Sequence, residues 1–218
     1  MDSIVRVLKD FKLNKEIRML VNNLNPRLNG NLNLSDVFLE LYREDMIDAE
    51  HYIYLHTKLL LNRYCVIGEK LMEKHNIMVG VYLYDQQHQK AWVGGAPHIP
   101  QGYLEYSNGL SLAQDIAPGN DIPIYIRNII AIDNVKTSKN SIALNHQDGL
   151  LSNGLLSFCC IPILHKTSNI GHIILLTSDP FDWRKLDTSG IFSSAQFLEE
   201  KLLDNKERFI RIASNQIK

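Results

Sequence analysis

Three cysteines, eight histidines and a scatter of loop acids are the residues of this chain best equipped for chemistry. A catalytic or redox thiol needs an accessible attacking sulfur of low pKa and a resolving partner. Cys159 and Cys160 are adjacent within the apolar run "LLSFCCIPIL", while Cys65 lies far upstream. Neighbouring side chains of a strand point to opposite faces, so Cys159 and Cys160 are not expected to share one site. All three read as small buried core residues. Adjacent cysteines also strain a disulfide, and three set no disulfide framework. A reducing, cytoplasmic setting is therefore expected.

The histidines show no metal-ligand spacing: His51 and His56 stand five apart, which is wrong for one helical face. His98 is the histidine near a possible pocket wall and reads as a solvent-facing turn residue. Asp115, Asp121 and Asp133 read as turn or capping residues. No phosphate-binding loop, dinucleotide fingerprint or Ser-His-Asp arrangement is visible. The chain is accordingly expected not to be an enzyme, and its residues identify no metal and no cofactor.

The totals narrow the partners. Of 218 residues, 45% are apolar, ample for a folded core. With 23 basic and 24 acidic residues, the formal charge of −1 gives no footprint for nucleic acid or an anionic membrane. "MDSIVRVLKDFKLNKE" mixes charges into its first ten positions and does not read as a secretory signal. No run approaches the ~20 apolar residues of a membrane span. Proteins and small molecules remain as partners.

Several elements must position any site. The Asn-rich "NNLNPRLNGNLN" favours turns. Ser35 then reads as a helix N-cap, opening one helix or a broken pair that ends near His75–Asn76. Ile53, Leu60, Tyr64, Ile67 and Leu71 recur at helical steps and predict its buried stripe. "IMVGVYLYD" and "QKAWVGGAP" predict a hairpin with its tip at Asp85–Gln89. Residues 101–127 read as loops with short helical turns. "NIIAIDNV" predicts a short strand, "SIALNHQDGLL" a short helix, and "LLSFCCIPIL" with "IGHIILLTS" a second hairpin. From Asp187 or Thr188 a final helix is predicted. Its Ile191, Ala195, Leu198, Leu202, Phe209 and Ile212 follow a 4-3 spacing, interrupted at Asn205, that suits either a short coiled-coil seam or simple cover for the sheet. The expected fold is α+β: an antiparallel sheet with helices on one face and irregular segments on the other.

At "AWVGGAPHIPQGY" the second predicted strand runs into a turn. Gly94, Ala96, Pro97, Pro100 and Tyr103 stand in the order found at the corresponding strand end of bacterial GAF domains. "CIPI" at Cys160–Ile163 and the later Gly171 match the last hairpin of the same family. Over roughly residues 50–205 the chain resembles the GAF-domain family, small sensory modules related to PAS domains. The resemblance implies a GAF/PAS-like central antiparallel sheet over residues 49–187. It is preceded by an N-terminal helical segment, 1–48, and followed by a long C-terminal helix, 188–218, suited to dimerisation.

The pattern departs where many bacterial members carry a Gly-Ser-Cys-Gly-x-Ala phrase above the pocket. "LAQDIAPGNDIPIYIRN" stands there instead, with Pro118, Gly119 and Pro123 obstructing a regular helix. The cyclic-nucleotide signature and the cysteine for a bilin are missing. Trp92, Gly94, Pro97, Tyr103, Leu112, Ile116, Tyr125 and Cys160 are the candidate ligand-binding residues, because an apolar cleft with few polar contacts is how small-molecule sites are built. The resemblance implies a sensory or regulatory protein that binds a small molecule, forms a homodimer and contacts a protein partner of a signalling pathway in trans. Two alternatives stay open: a ligand-free dimerisation or docking module, and a thiol-dependent enzyme like the GAF subfamily that reduces free methionine sulfoxide.

Overall fold

The computed structural model describes residues 34–111, 128–166, 168–187 and 189–215. Two helices come first, α1 (Leu34–Arg43) and α2 (Ala49–Leu71), followed by the hairpin β1 (Met78–Asp85) and β2 (Lys90–Gly95). A short helix α3 (Gln101–Ser107) and strand β3 (Leu110–Ser111) come next, then β4 (Ile130–Ile132) and helix α4 (Ser141–Leu151). A second hairpin, β5 (Ser157–His165) and β6 (Ser168–Thr177), precedes helices α5 (Ser189–Leu202) and α6 (Lys206–Asn215). The six strands form one sheet in the order β3-β2-β1-β6-β5-β4, with every neighbouring pair antiparallel.

Local chemistry sets the boundaries. Asp48 caps α2, its carboxylate accepting the His51 N–H at 2.8 Å. The helix tightens into a 3₁₀ turn at Glu73–His75 and stops where Asn76 takes a left-handed conformation, φ 50°. Asp85 closes the first hairpin, accepting the His88 N–H at 3.1 Å. Asn140 caps α4 through the Ile142 N–H at 2.9 Å. Both hairpins and α4 fall where the sequence predicts them, and the break between α1 and α2 resolves the choice between one helix and two. Among the described residues no helix is long and apolar enough to cross a membrane.

The central strands β1 and β6 are buried along nearly their whole length, so the sheet carries a core on each face. On the first face Val79, Val81, Leu83, Cys159, Ile161 and Leu175 meet α1, α2, α5 and α6. This core draws on residues from Val37 to Ala213, which makes α1 and α6 part of it. On the second face Tyr82, Phe158, Cys160 and Ile174 meet Ile99, Tyr103 and the α4 residues Ile142 and Leu150. In the stretch expected to hold loops with short helical turns, α3 is such a helical segment over that face. Pro100 stands at its N-terminal boundary, a place where a missing N–H costs nothing.

Two helical expectations change. The stripe Leu60, Tyr64, Ile67, Leu71 is not the buried face of α2: Ile67 is 59% and Leu71 82% exposed, while Tyr54, Leu55, Leu61 and Cys65 point inward. The C-terminal helix breaks at Leu203–Asn205, and α6 folds back onto α2. Phe209 stacks on Tyr54 with ring centroids 4.4 Å apart, Arg211 pairs with Glu50 at 3.0 Å, and the Lys206 ammonium donates to the Tyr84 carbonyl at 3.1 Å. Ala195, Leu198, Leu202, Phe209 and Ile212 are therefore buried in the chain's own core, and the 4-3 spacing serves that core instead of an open seam.

Phe209 is fully buried. Phe209→Ala is expected to destabilise the fold by about 3–5 kcal/mol, the usual range for emptying a buried aromatic site, read from urea unfolding.

Candidate ligand site

Of the "WVGG" end of β2, Trp92 and the two glycines face the helices, while Val93 packs on the second core. Trp92 joins the first core opposite Leu83. A β-bulge follows: Tyr82 pairs with Val93 but Val81 with Gly95, leaving Gly94 as the extra residue. The bulge breaks strict alternation and turns both glycines toward α2. A Cβ on Gly94 would lie 2.6 Å from Leu61 Cδ1, and one on Gly95 2.6 Å from the Leu61 carbonyl carbon. Asn62 accepts the Ala96 N–H at 3.0 Å, and the Cys65 thiol donates to the Gly95 carbonyl at 3.4 Å. The glycines therefore let a helix, and no ligand, approach the strand.

Beyond the bulge Pro97 is buried at the turn into α3. His98 is exposed and its Nδ1 pairs with Glu69, whose other carboxylate oxygen accepts the Val79 N–H at 3.0 Å. Asp133 is the expected capping acid, accepting the Trp183 N–H at 3.3 Å. Asp115 and Asp121 lie outside the described residues.

A second group of residues converges on the opposite face. Tyr82 of β1 and His172 of β6 are directly paired across the ladder, and their rings stack 5.1 Å apart, only 7° from parallel. The Ser107 hydroxyl donates to the Tyr103 carbonyl at 2.7 Å and lies 2.8 Å from the Tyr82 hydroxyl. Serine has one proton to give, so Tyr82 is the donor of the second bond. His146 of α4 borders the same space, its Nδ1 3.4 Å from the Tyr106 hydroxyl. The two helices that supply these groups touch through glycine: a Cβ on Gly149 would fall 2.3 Å from the Tyr106 ring.

Between these walls lies a cavity of about 40 Å³, lined by Tyr82, Tyr103, Ser107, His146, Cys160 and His172 with Ala91, Leu110, Ile142 and Ile174. A space of that size holds one or two water-sized groups. Its described walls contain no Lys, Arg, Asp or Glu. Burial, helped by the neighbouring His146, lowers the His172 imidazole to about 4, so it is neutral at pH 7. Burial likewise raises Tyr82 and Tyr103 above the ordinary phenol range.

Of the eight sequence-predicted site residues, the structure brings Tyr103 and Cys160 to this cavity. Trp92 and Gly94 are on the other side of the sheet, and Pro97 is in the connecting turn. Leu112, Ile116 and Tyr125 lie outside the described residues. Tyr82, Ser107, His146 and His172 escape the sequence reading. Their one signal is polarity inside apolar runs, as in "IGHIILL", where a histidine interrupts a strand buried on both faces.

The thiols are poorly suited to attack. All three cysteines are buried and outside any disulfide, and Cys159 and Cys160 do point to opposite faces. Desolvation pushes Cys159 up to about 12 and Cys65 well above its ordinary value. Among the described residues no three His, Cys, Asp or Glu side chains group to hold a metal.

No protein-family model matches the sequence, and no curated protein matches it. Solved structures do. The PixJ GAF-domain of Thermosynechococcus elongatus, in its blue-light absorbing form, aligns with 73% of this chain and 92% of its own at 15% identity and a TM-score of 0.50. The fold is that of a GAF domain. The GAF domain of an Acinetobacter phosphoenolpyruvate-protein phosphotransferase aligns over 78% of this chain and 92% of its own, at 14% identity and a TM-score of 0.46. The type II free methionine-R-sulfoxide reductase of Thermoplasma acidophilum aligns over 68% and 93%, at 14% identity and a TM-score of 0.43.

Within this GAF fold two outcomes are expected. His172 is less basic folded than unfolded, so the unfolded chain takes up the proton first; stability is full above about pH 6.5 and falls as pH drops toward 4. His172→Phe, which keeps a ring against Tyr82, is expected to flatten the urea-unfolding free energy across that window relative to the parent chain. With 5,5′-dithiobis(2-nitrobenzoate), the native protein is expected to give no rapid thiol reaction, and all three thiols are expected to react once guanidinium unfolds it.

Proposed function

We propose that this chain is a cytoplasmic sensory or regulatory protein whose GAF domain binds a small molecule on the second face of the sheet and signals by contact with another protein. The observation that supports this reading is the cluster of polar groups around the cavity. Hydroxyl and imidazole groups within an otherwise apolar core are costly to place unless they exchange hydrogen bonds, and convergent polar groups in an apolar cleft are the usual make-up of a small-molecule site. The described walls hold no Lys, Arg, Asp or Glu, which suits an uncharged ligand. Three cysteines with no disulfide among them suit a reducing compartment.

Coupling has a route through α3. A ligand that takes over the hydrogen bond of Ser107 or Tyr82 breaks the chain Tyr82–Ser107–Tyr103 that ties this helix to β1. Such a ligand shifts the equilibrium only by as much as it prefers one arrangement over the other. A ligand-free docking module is the second reading, favoured by the size of the cavity, about 40 Å³. Catalysis by the cysteines is the least supported: burial disfavours the thiolate of Cys65 and Cys159, and Cys159 and Cys160 face opposite sides of the sheet.

Native mass spectrometry and a thermal-shift screen of uncharged metabolites separate the two main readings. A sensor gives a compound that raises Tm in the parent chain and loses its effect in Cys160→Val, whose larger side chain fills the cavity. A docking module gives no retained mass, and no compound whose shift depends on residue 160.

A further inference from the structure

One polar group of the second-face cavity has an unfilled hydrogen bond. Tyr103 is 6% exposed and lines the cavity. Its backbone is satisfied, the N–H donating to the Pro100 carbonyl at 3.0 Å and the carbonyl accepting from Ser107. Its hydroxyl exchanges no hydrogen bond with any described residue. The neighbouring phenols differ in this respect, since Tyr82 donates to Ser107 and the Tyr106 hydroxyl lies 3.4 Å from His146 Nδ1. Burial, and then Tyr82, Cys160 and Tyr106 nearby, oppose ionisation of Tyr103, so the phenol keeps its proton among the polar atoms of the cavity. A buried donor without an acceptor carries its full desolvation cost, which a bound acceptor removes.

Ser107, one helical turn further along α3, has the opposite character. It has given its proton to the Tyr103 carbonyl, so toward a guest its oxygen can only accept, in competition for the Tyr82 proton. The same helix face thus offers a donor at Tyr103 and an acceptor at Ser107. The complementary group carries an acceptor oxygen and an N–H side by side. A carboxylate brings no proton for Ser107, and the described walls hold no Lys or Arg to balance its charge. An ammonium brings no acceptor for Tyr103, and the same walls hold no Asp or Glu. We propose that the cavity takes an uncharged primary amide group, its carbonyl oxygen accepting from the Tyr103 hydroxyl and its N–H donating to Ser107. This inference rests on reading the cavity as a ligand site and adds the ligand's chemical class and the residue that selects it. The space of about 40 Å³ suits an end group of this size. An amide N–H at Ser107 displaces the Tyr82 proton, so the contact that recognises the ligand is also the one that loosens α3 from β1.

Formamide, the smallest primary amide, and formate, its charged counterpart without an N–H, are matched probes. Each has one formyl proton that reports saturation transfer from the full chain by NMR, and a probe of three heavy atoms binds at best with a Kd on the order of 1 mM. The parent protein is expected to transfer saturation to formamide and not to formate. Tyr103→Phe is expected to weaken formamide about tenfold, and Cys160→Val to abolish its binding. Because the Tyr103 hydroxyl has no described partner to lose, ligand-free Tyr103→Phe is expected to unfold in urea at the parent midpoint or above it. The proposal is overturned if the parent gives formamide no transfer, if formate binds as well, or if Tyr103→Phe or Cys160→Val binds formamide like the parent. A lower urea midpoint for Tyr103→Phe also overturns it, as the mark of a hydroxyl already satisfied by a resident water. If compounds of the metabolite screen still raise Tm through residue 160, the ligand site stands and the amide assignment alone fails; if none does, both fail.

Discussion

The contact on which the rest of this molecule depends is the seating of α2 on the end of β2. The backbone of Leu61 and Asn62 lies where a Cβ of Gly95 would be and the Leu61 side chain where one of Gly94 would be, and the Asn62 carboxamide and Cys65 thiol bind the strand end through hydrogen bonds. A larger side chain at Gly95 would lift the helix away. Holding α2 this close fixes its rotation: Tyr54, Leu55, Leu61 and Cys65 go inward, and Ile67 and Leu71 are left facing outward. It also gives α6 a surface to fold onto, since Tyr54 presents its ring to Phe209 and Glu50 its carboxylate to Arg211.

The same contact divides labour between the two faces of the sheet. Helices α2, α5 and α6 make the first face a dry core, with Cys159 inside it. The second face has thinner cover, and there the central strands place Tyr82 and His172 ring to ring. Burial keeps His172 neutral, so the imidazole can accept as well as donate without bringing a charge into the core. The one-proton economy of Ser107 then orients the Tyr82 hydroxyl toward α3, and the sheet centre is connected to that helix by two directed hydrogen bonds.

The sequence makes the two hairpins and α4 legible because each is an unbroken period of two or 3.6 bounded by residues with a clear stop role, Asp85, Asn140 and the polar tip at 166–168. Orientation is less legible. Periodicity says that Leu60, Tyr64, Ile67 and Leu71 share a side of a helix, but not which side the glycines of a distant strand will draw inward. Alternation assigns Trp92 and Gly94 to one face without saying that this is the helical one, and it fails at the bulge that turns Gly95 to the same side. Pro100 and Gly102 conceal α3, and the break before Lys206 depends on α2 being in place to receive α6. At the candidate site Tyr103 and Cys160 are found through the family resemblance. Tyr82 and His172 come together only through the pairing of β1 with β6, whose strands are separated by most of the domain.

The two edges of the sheet are its shortest strands: β3 has 2 residues and β4 has 3. A strand of that length offers too few backbone groups to template a neighbour, and one further pair of hydrogen bonds would not offset the entropy of ordering a new chain there. β4 is hemmed in further, as the Trp183 indole donates to its Ile132 carbonyl at 3.1 Å. Sheet extension, the commonest route by which antiparallel domains stick to one another, is thereby disfavoured.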